Sequence, residues 1–158
     1  MAFIVGKKVG MTRIFSDSGQ VTPVTLIETA PKKAGQGKVS LEKKNGDVAG
    51  LETFAVGAFV KVTAISKAKG FQGAVKRHGF RGMPASHGHH AVMRHVGSIG
   101  QRFPQHTLKG LRMAGRMGGR RTTTRGLEVM NIDAEHKTIA VKGAVPGKRG
   151  SWVAVITQ

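Results

Sequence analysis

Residues 67–125 read KAKGFQGAVKRHGFRGMPASHGHHAVMRHVGSIGQRFPQHTLKGLRMAGRMGGRRTTTR and separate two flanks of different composition. This basic segment has nine Arg and four Lys but no Asp or Glu, whereas the whole chain has 26 Lys and Arg against 8 Asp and Glu. Its large apolar residues follow neither a two-residue period nor a helical period beyond one turn. We therefore expect the segment to be ordered by a polyanion and not by a core of its own.

The alternative interpretation of the basic segment is a solvated, disordered loop. Loops of this length in compact chains are usually functional or disordered. The segment holds 11 of the chain's 23 Gly, which raise the entropy of the free chain and permit close backbone approach. We expect it to be mobile in the free protein and ordered on its polyanion.

The flanks predict an all-β body that is built from both ends of the chain. The patterns typical of strands lie at 2–5, 11–15, 21–27, 38–43, 51–55, 59–65, 127–133, 138–142 and 151–156. Turn signals lie at 6–10, 17–19, 45–46, 133–137 and 143–150. Pro23 indicates an edge strand or an early strand position, and 71–78 is a candidate for one short helix. Neither flank has enough strands to be stable alone, so we expect them to pair as a barrel or a sandwich.

The composition excludes several classes of protein. The chain has no Cys, and therefore no disulfide framework, thiolate metal site or Cys nucleophile. The opening MAFIVGKKVGM has too short an apolar run for an export signal, and its charges follow that run. No stretch reaches the roughly 18 apolar residues of a membrane span. The sequence pI of about 11.5 indicates nucleic acid or an anionic membrane surface as the partner.

A histidine cluster resembles a run of metal ligands: His87, His89 and His90, with His78 and His95 nearby. A catalytic zinc site uses three protein ligands, and each His is often oriented by a carboxylate. The basic segment has no carboxylate, and its cations oppose a dication. Hydrogen bonding or stacking on RNA is the favoured role, and a His-dependent metal hydrolase is an alternative. The chain lacks a P-loop and a G-x-S-x-G elbow, so we predict no catalytic residue, metal or cofactor.

Phosphate binding by Arg is the chemistry that the basic segment favours. The start at Lys69-Gly70-Phe71 is typical of an aromatic RNA-recognition strand, but Gly73 stands where that motif has its second aromatic. The chain has no Tyr and one Trp, so base stacking is not predicted as the main binding mode. Gly residues interrupt the Arg-rich run 112–121, which predicts an extended ribbon and not a helix. Arg then offers a planar fork that fits phosphate.

Five ordered motifs resemble the bacterial-type large-subunit ribosomal protein three family. They are FIVGKKVGMTRIF at 3–15, KGFQGAVKRHGFRG at 69–82, HVGSIGQ at 95–101, KGLRMAGRMGGRRTT at 109–123 and VKGAVPGKRGS at 141–151. The resemblance covers residues 1–29 and 66–156. It implies a mainly β fold, with residues 1–66 and 126–158 forming a six-stranded β-barrel of the translation-protein type and residues 67–125 forming an extended rRNA-binding loop.

The resemblance also implies a function. Members of the family are structural constituents of the large subunit, bind 23S-type rRNA early in assembly, and extend the loop toward the peptidyl-transferase centre. The tip of the loop would be Ser98–His106. Carried over by position, the expected rRNA-binding residues are Lys7, Lys8, Arg13, Lys67, Lys69, Lys76, Arg77, Arg81, His87, Arg94, Gln101, Arg102, Lys109, Arg112, Arg116, Arg120, Arg121, Arg125, Lys148 and Arg149.

The expected partners are large-subunit rRNA and neighbouring ribosomal proteins, with no membrane and no small-molecule substrate. The expected location is the cytoplasmic ribosome, with an organellar ribosome as the alternative. The chain departs from the family in a shorter segment at 30–65. It also has Phe103 where some members carry a methylated glutamine, so we predict no methylation there. The excess of positive charge is also compatible with an architectural DNA-binding protein or a polybasic membrane binder.

Overall fold

The computed structural model describes residues 3–29 and 50–157, which form two compact units. Residues 1–67 and 119–158 belong to the first unit, and residues 68–118 form the second. The strands are β1 (Phe3–Phe15), β2 (Val21–Thr29), β3 (Phe59–Ile65), β4 (Gly70–Gln72), β5 (Gly115–Met117), β6 (Arg121–Asp133), β7 (Thr138–Lys142) and β8 (Trp152–Thr157). The described helix is α1 (Ala74–His78). It is not long and apolar enough to cross a membrane.

The first unit is a closed antiparallel barrel with the strand order β1-β2-β7-β6-β3-β8. The family resemblance implied a mainly β fold with a six-stranded barrel, and the structure confirms both. Alternate residues of β3 and β8, including Val60, Val62, Val153 and Val155, fill the interior because successive side chains of a strand point to opposite faces. Full burial of one such side chain stabilises the fold by about 1.5–3 kcal/mol. The other faces of β1 and β8 share a smaller apolar cluster that includes Phe3 and Ile156.

Strand β1 runs without interruption through residues 6–10, where the sequence predicted a turn, so that prediction is wrong. The register of β1 against β2 shifts between Lys8 and Gly10, which is a β-bulge that bends the strand. Gly6 is required by close packing, because a Cβ there would lie 2.5 Å from the Glu28 carbonyl oxygen. These glycines therefore allow the strand to bend and pack closely.

The prediction of a strand at 51–55 is also wrong. Residues Leu51–Thr53 form a 3-10 helix, and Phe54 follows it into the core. Leu51 and Phe54 are spaced for one side of a single turn, which explains how two apolar residues reach the barrel without a strand. The predicted strand at 38–43 and the predicted hairpin turn at 45–46 lie outside the described residues.

Strand β6 begins at Arg121, before the pattern at 127–133 that predicted it. Residues 121–124 pair with the second half of β3, and the hydroxyl groups of Thr63 and Thr123 are 2.8 Å apart. Pro23 occupies an early position of β2, because β2 pairs with β7 only from Val24 onward. The early-strand alternative for Pro23 is therefore confirmed.

The second unit is a two-stranded ribbon, β4 and β5, with α1 between them in sequence. The sequence allowed a short helix at 71–78, and the structure has one in the last five of these residues. Arg77 Nη1 donates a hydrogen bond to the carbonyl oxygen of Met113 (2.6 Å), and His78 Nε2 lies 3.1 Å from the same atom. The extended conformation predicted for the Arg/Gly run is confirmed at β5. Residues 79–114 form turns and bends without a strand or helix.

Candidate nucleic-acid interface

One end of the barrel brings together basic residues from separate parts of the chain. Strand β1 reaches the connection between β7 and β8, where Lys8 N donates to Ser151 O (3.0 Å) and Gly150 N donates to Lys8 O (2.7 Å). At the same end, Ser66 N donates to Arg120 O (2.9 Å) where β3 ends and β6 begins. We call this group of residues the basic barrel end, which consists of Lys7, Lys8, Lys67, Arg120, Arg121, Lys148 and Arg149.

Lys8 is the partly buried member of the basic barrel end. Its Nζ donates to the carbonyl oxygen of Val145 (2.9 Å), which ties β1 to the β7–β8 connection. Burial lowers the pKa of Lys8, and the positive charge of Lys67 lowers that pKa further. An anion bound near Lys8 and Lys67 would offset the repulsion between their positive charges.

Acidic residues lie around the β6–β7 turn of the barrel. Glu28 of β2 and Asp133 of β6 both pair with Thr138, and Glu135 lies in the turn that follows β6. Backbone and side-chain hydrogen bonds from His136 lower the pKa of Asp133. Glu28 also lies opposite Lys7 of β1, so one of these carboxylates is next to the basic barrel end.

The second unit has no carboxylate to balance its cations. Residues 68–118 include nine Lys and Arg and no Asp or Glu. Eight of these nine side chains are exposed, and Arg77 is the half-buried exception. Ala74 is the one buried residue of this range, all of which the structure describes. The uncompensated cations of this unit repel one another, and a bound polyanion would reduce that repulsion.

Several of the cations rest on aromatic rings of the same chain. The Arg102 guanidinium lies 5.6 Å from the ring centroid of Phe103, and that of Arg112 lies 5.9 Å from Phe80. On the barrel, Lys7 Nζ lies 5.1 Å from the Trp152 ring. Stacking of this kind leaves the in-plane donors of Arg available to phosphate oxygens.

The structure leaves eighteen of the twenty expected binding residues exposed. The two partly buried residues, Lys8 and Arg77, each donate a hydrogen bond to a backbone carbonyl oxygen. Arg13 lies on the β1–β2 hairpin opposite Pro23, and Arg125 lies at a register shift of β6. The side chain of Phe71, which is not among the twenty, is 76% exposed on β4. In the sequence, the one feature that points to Phe71 is its place in Lys69-Gly70-Phe71, which is typical of the start of an aromatic RNA-recognition strand.

Among residues 3–29 and 50–157, no group of three or more His, Cys, Asp or Glu is arranged to hold a metal ion. His87, His89 and His90 are all exposed, and His87 has a positive φ of 60°. The metal-hydrolase alternative therefore has no set of ligands in the described part of the chain.

A small barrel with a basic end, together with a carboxylate-free basic unit, defines a class of protein suited to a polyanionic assembly. A family model described as "Ribosomal protein L3" matches residues 7–144. The chain is 41% identical to "Large ribosomal subunit protein uL3" of Borrelia hermsii over 202 residues, which cover 98% of this chain and 96% of the relative. It is 37% identical to the protein of that name from Alkalilimnicola ehrlichii, with 96% and 93% covered.

The chain belongs to the ribosomal protein L3 family. It is a structural constituent of the large ribosomal subunit in the cytoplasmic ribosome, and it is not an enzyme. The alignment with the Borrelia relative is longer than the 158 residues of this chain, so it includes positions that this chain lacks. The resemblance inferred from the five motifs is confirmed.

Proposed function

We propose that the chain binds large-subunit rRNA through the basic barrel end and the second unit, by neutralising phosphate charge. The observation that carries this proposal is the charge of the second unit, where nine Lys and Arg face no carboxylate. Arg and Lys that contact phosphates fix the position of a protein on nucleic acid without reading its sequence. The twenty residues expected from the family are the proposed contacts.

The loop of residues 67–125 is proposed to enter folded rRNA, with Ser98–His106 nearest the peptidyl-transferase centre and with binding early in subunit assembly. This finer proposal rests on the family resemblance together with the small core of the second unit. In the free protein we expect faster amide exchange in residues 79–114 than in the barrel strands, and slower exchange on rRNA. Equal protection in the free and bound states would contradict it.

The salt dependence of rRNA binding tests charge neutralisation. The logarithm of the association constant for a large-subunit rRNA fragment should fall linearly with the logarithm of salt concentration. Each phosphate contact should add roughly 0.7–0.9 to the steepness of that slope. Lys148→Gln should lower that slope by roughly one contact. Lys137→Gln is the matched control, because Lys137 is exposed in the turn between β6 and β7, which also contains Glu135. A flat salt response of the unmodified chain would contradict the proposal.

The position of the loop tip is testable because the chain has no Cys. A chelated iron attached through Gln105→Cys should cleave rRNA near the peptidyl-transferase centre in assembled subunits. The same reagent attached through Ala134→Cys, in the exposed turn after β6, should cleave elsewhere. Identical cleavage patterns from the two positions would exclude the proposed path. Competition by duplex DNA as effective as that of rRNA would favour the DNA-binding alternative.

A further inference from the structure

The β4–β5 ribbon has two different faces. Phe71 pairs directly with Arg116, so their side chains share one face. Gly70 and Gln72, with their partners Met117 and Gly115, share the other. The second face is covered within the unit, because the Arg77 guanidinium lies over Gly115, where a Cβ would be 2.8 Å from Nη1. The face with Phe71 is left open.

The open face presents an aromatic ring among small residues and cations. Phe71 is 76% exposed, the largest exposed fraction among the large hydrophobic side chains of the described residues. Lys69 directly precedes β4, where its backbone N–H donates to the Met117 carbonyl oxygen (2.9 Å), and Gly73 directly follows the strand. Arg116, on the face of Phe71, and Lys69, at the start of the ribbon, are both exposed. Residues 68–118 contain no carboxylate that could neutralise them.

A single exposed apolar side chain is common on protein surfaces and needs no ligand. The setting of Phe71 differs because its strand is held by a ladder and because its neighbours are positively charged. A neighbouring apolar side chain could pack on the Phe71 ring but would provide no anion for Lys69 and Arg116. A nucleotide could do both, because its base stacks on the ring and its backbone phosphates bind the two cations.

We propose that this face is a nucleobase-stacking site that holds one unpaired RNA base on Phe71, with Arg116 and Lys69 bound to the adjoining phosphates. The proposal rests on the proposed rRNA binding and specifies its ligand at this position. The base is unpaired because a base within a duplex is already stacked on both sides and presents only its edge to a protein. The site should prefer single-stranded RNA over duplex RNA but should not prefer one base over another, since every base has a π-face.

The test compares Phe71→Leu with Phe71→Tyr, using single-stranded oligoadenylate and its duplex with oligouridylate as probes. The Leu variant should bind the single strand about 5- to 100-fold more weakly at every salt concentration, because one stacked base is lost. Its salt slope should be unchanged, because no charge is removed. The Tyr variant keeps the ring and should bind as the unmodified chain does. Affinity for the duplex should change little in either variant.

The matched control is Phe59→Leu, which replaces a 60% exposed Phe on β3 opposite Glu128. It should leave binding of both probes unchanged. If Phe71→Leu binds the single strand normally while the unmodified chain keeps its salt dependence, the stacking site is overturned and the proposed function stands. If the unmodified chain has a flat salt response, the proposed function itself fails. Normal RNA binding with impaired incorporation into subunits would assign the face to a protein neighbour and would also overturn the stacking site.

Discussion

Gly6 and Gly10 are in the same strand but are subject to different constraints. At Gly6 a Cβ would lie 2.5 Å from the Glu28 carbonyl oxygen and 2.7 Å from Ile27 Cγ2. At Gly10 it would meet no atom within 4 Å. The sequence pattern treats both as turn glycines, whereas the structure assigns close packing to one of them. The difference arises from β2, a neighbouring strand whose register no local pattern specifies.

Gly6→Ala should destabilise the barrel by about 1–3 kcal/mol, because the backbone of β2 must move away from the new methyl group. The free energy of unfolding in urea measures this effect. Gly10→Ala is the control and should change that free energy by less than about 1 kcal/mol, with a reduced entropy of the unfolded chain in its favour. Equal losses in the two variants would show that the contact with β2 is not the cause.

At the scale of elements, the second unit is held by the β4–β5 ladder and by a few contacts of α1. Helix α1 has five residues and is followed by Gly79, whose φ of 73° suits glycine. Residue Arg77 links it to the backbone before β5, at Met113. An Arg that the sequence predicts as a phosphate ligand is thus also a structural residue. Its neighbour Lys76 remains exposed.

Arg77→Ala should loosen the ribbon, because the Met113 carbonyl loses a charged donor and Gly115 loses its cover. A hydrogen bond from a charged group is worth about 1.5–3 kcal/mol, so amide exchange in β4 and β5 should accelerate by roughly tenfold or more. Hydrogen-exchange mass spectrometry of residues 70–72 and 115–117 measures it. Lys76→Ala is the control on the same helix and should leave this exchange unchanged. Unaltered exchange in both variants would contradict the structural role of Arg77.

For the whole molecule, the main hydrophobic core belongs to the barrel. All the buried residues of that core lie within 4–27, 54–64 and 129–155, which are in the first unit. The chain leaves the barrel after β3 and returns before β6, where Gly119 N donates to Ser66 O (3.2 Å). Since these two ends are already hydrogen-bonded, the barrel does not need the second unit to close.

Replacement of residues 68–118 by an Asn-Gly turn should leave a barrel that unfolds cooperatively, because Asn-Gly suits a two-residue hairpin. Its midpoint of thermal unfolding, followed by circular dichroism, should stay within several degrees of the whole chain. The salt dependence of its rRNA binding should be much weaker, because nine cations are removed. Loss of the cooperative transition would show that the second unit supports the barrel. Full retention of rRNA affinity would place the binding surface on the barrel alone.

The sequence by itself determined the mainly β character and the excess of positive charge in the middle of the chain. Alternation in FVKVTAI and TIAVK, and the absence of acids in 67–125, are local properties that can be read one residue after another. The exposure of most expected binding residues also follows from their charge, since charged side chains are rarely buried.

Only the tertiary structure decided which distant residues meet. It placed Lys8 beside the 148–151 turn, used Arg77 to cover Gly115, continued β1 through Gly6 and made residues 51–53 a 3-10 helix instead of a strand. It also separated the covered face of the β4–β5 ribbon from the open face with Phe71. Each of these outcomes depends on the register between strands that are far apart in the chain. That register is set by packing and pairing across the closed barrel and the ribbon, which a linear pattern of residues does not contain.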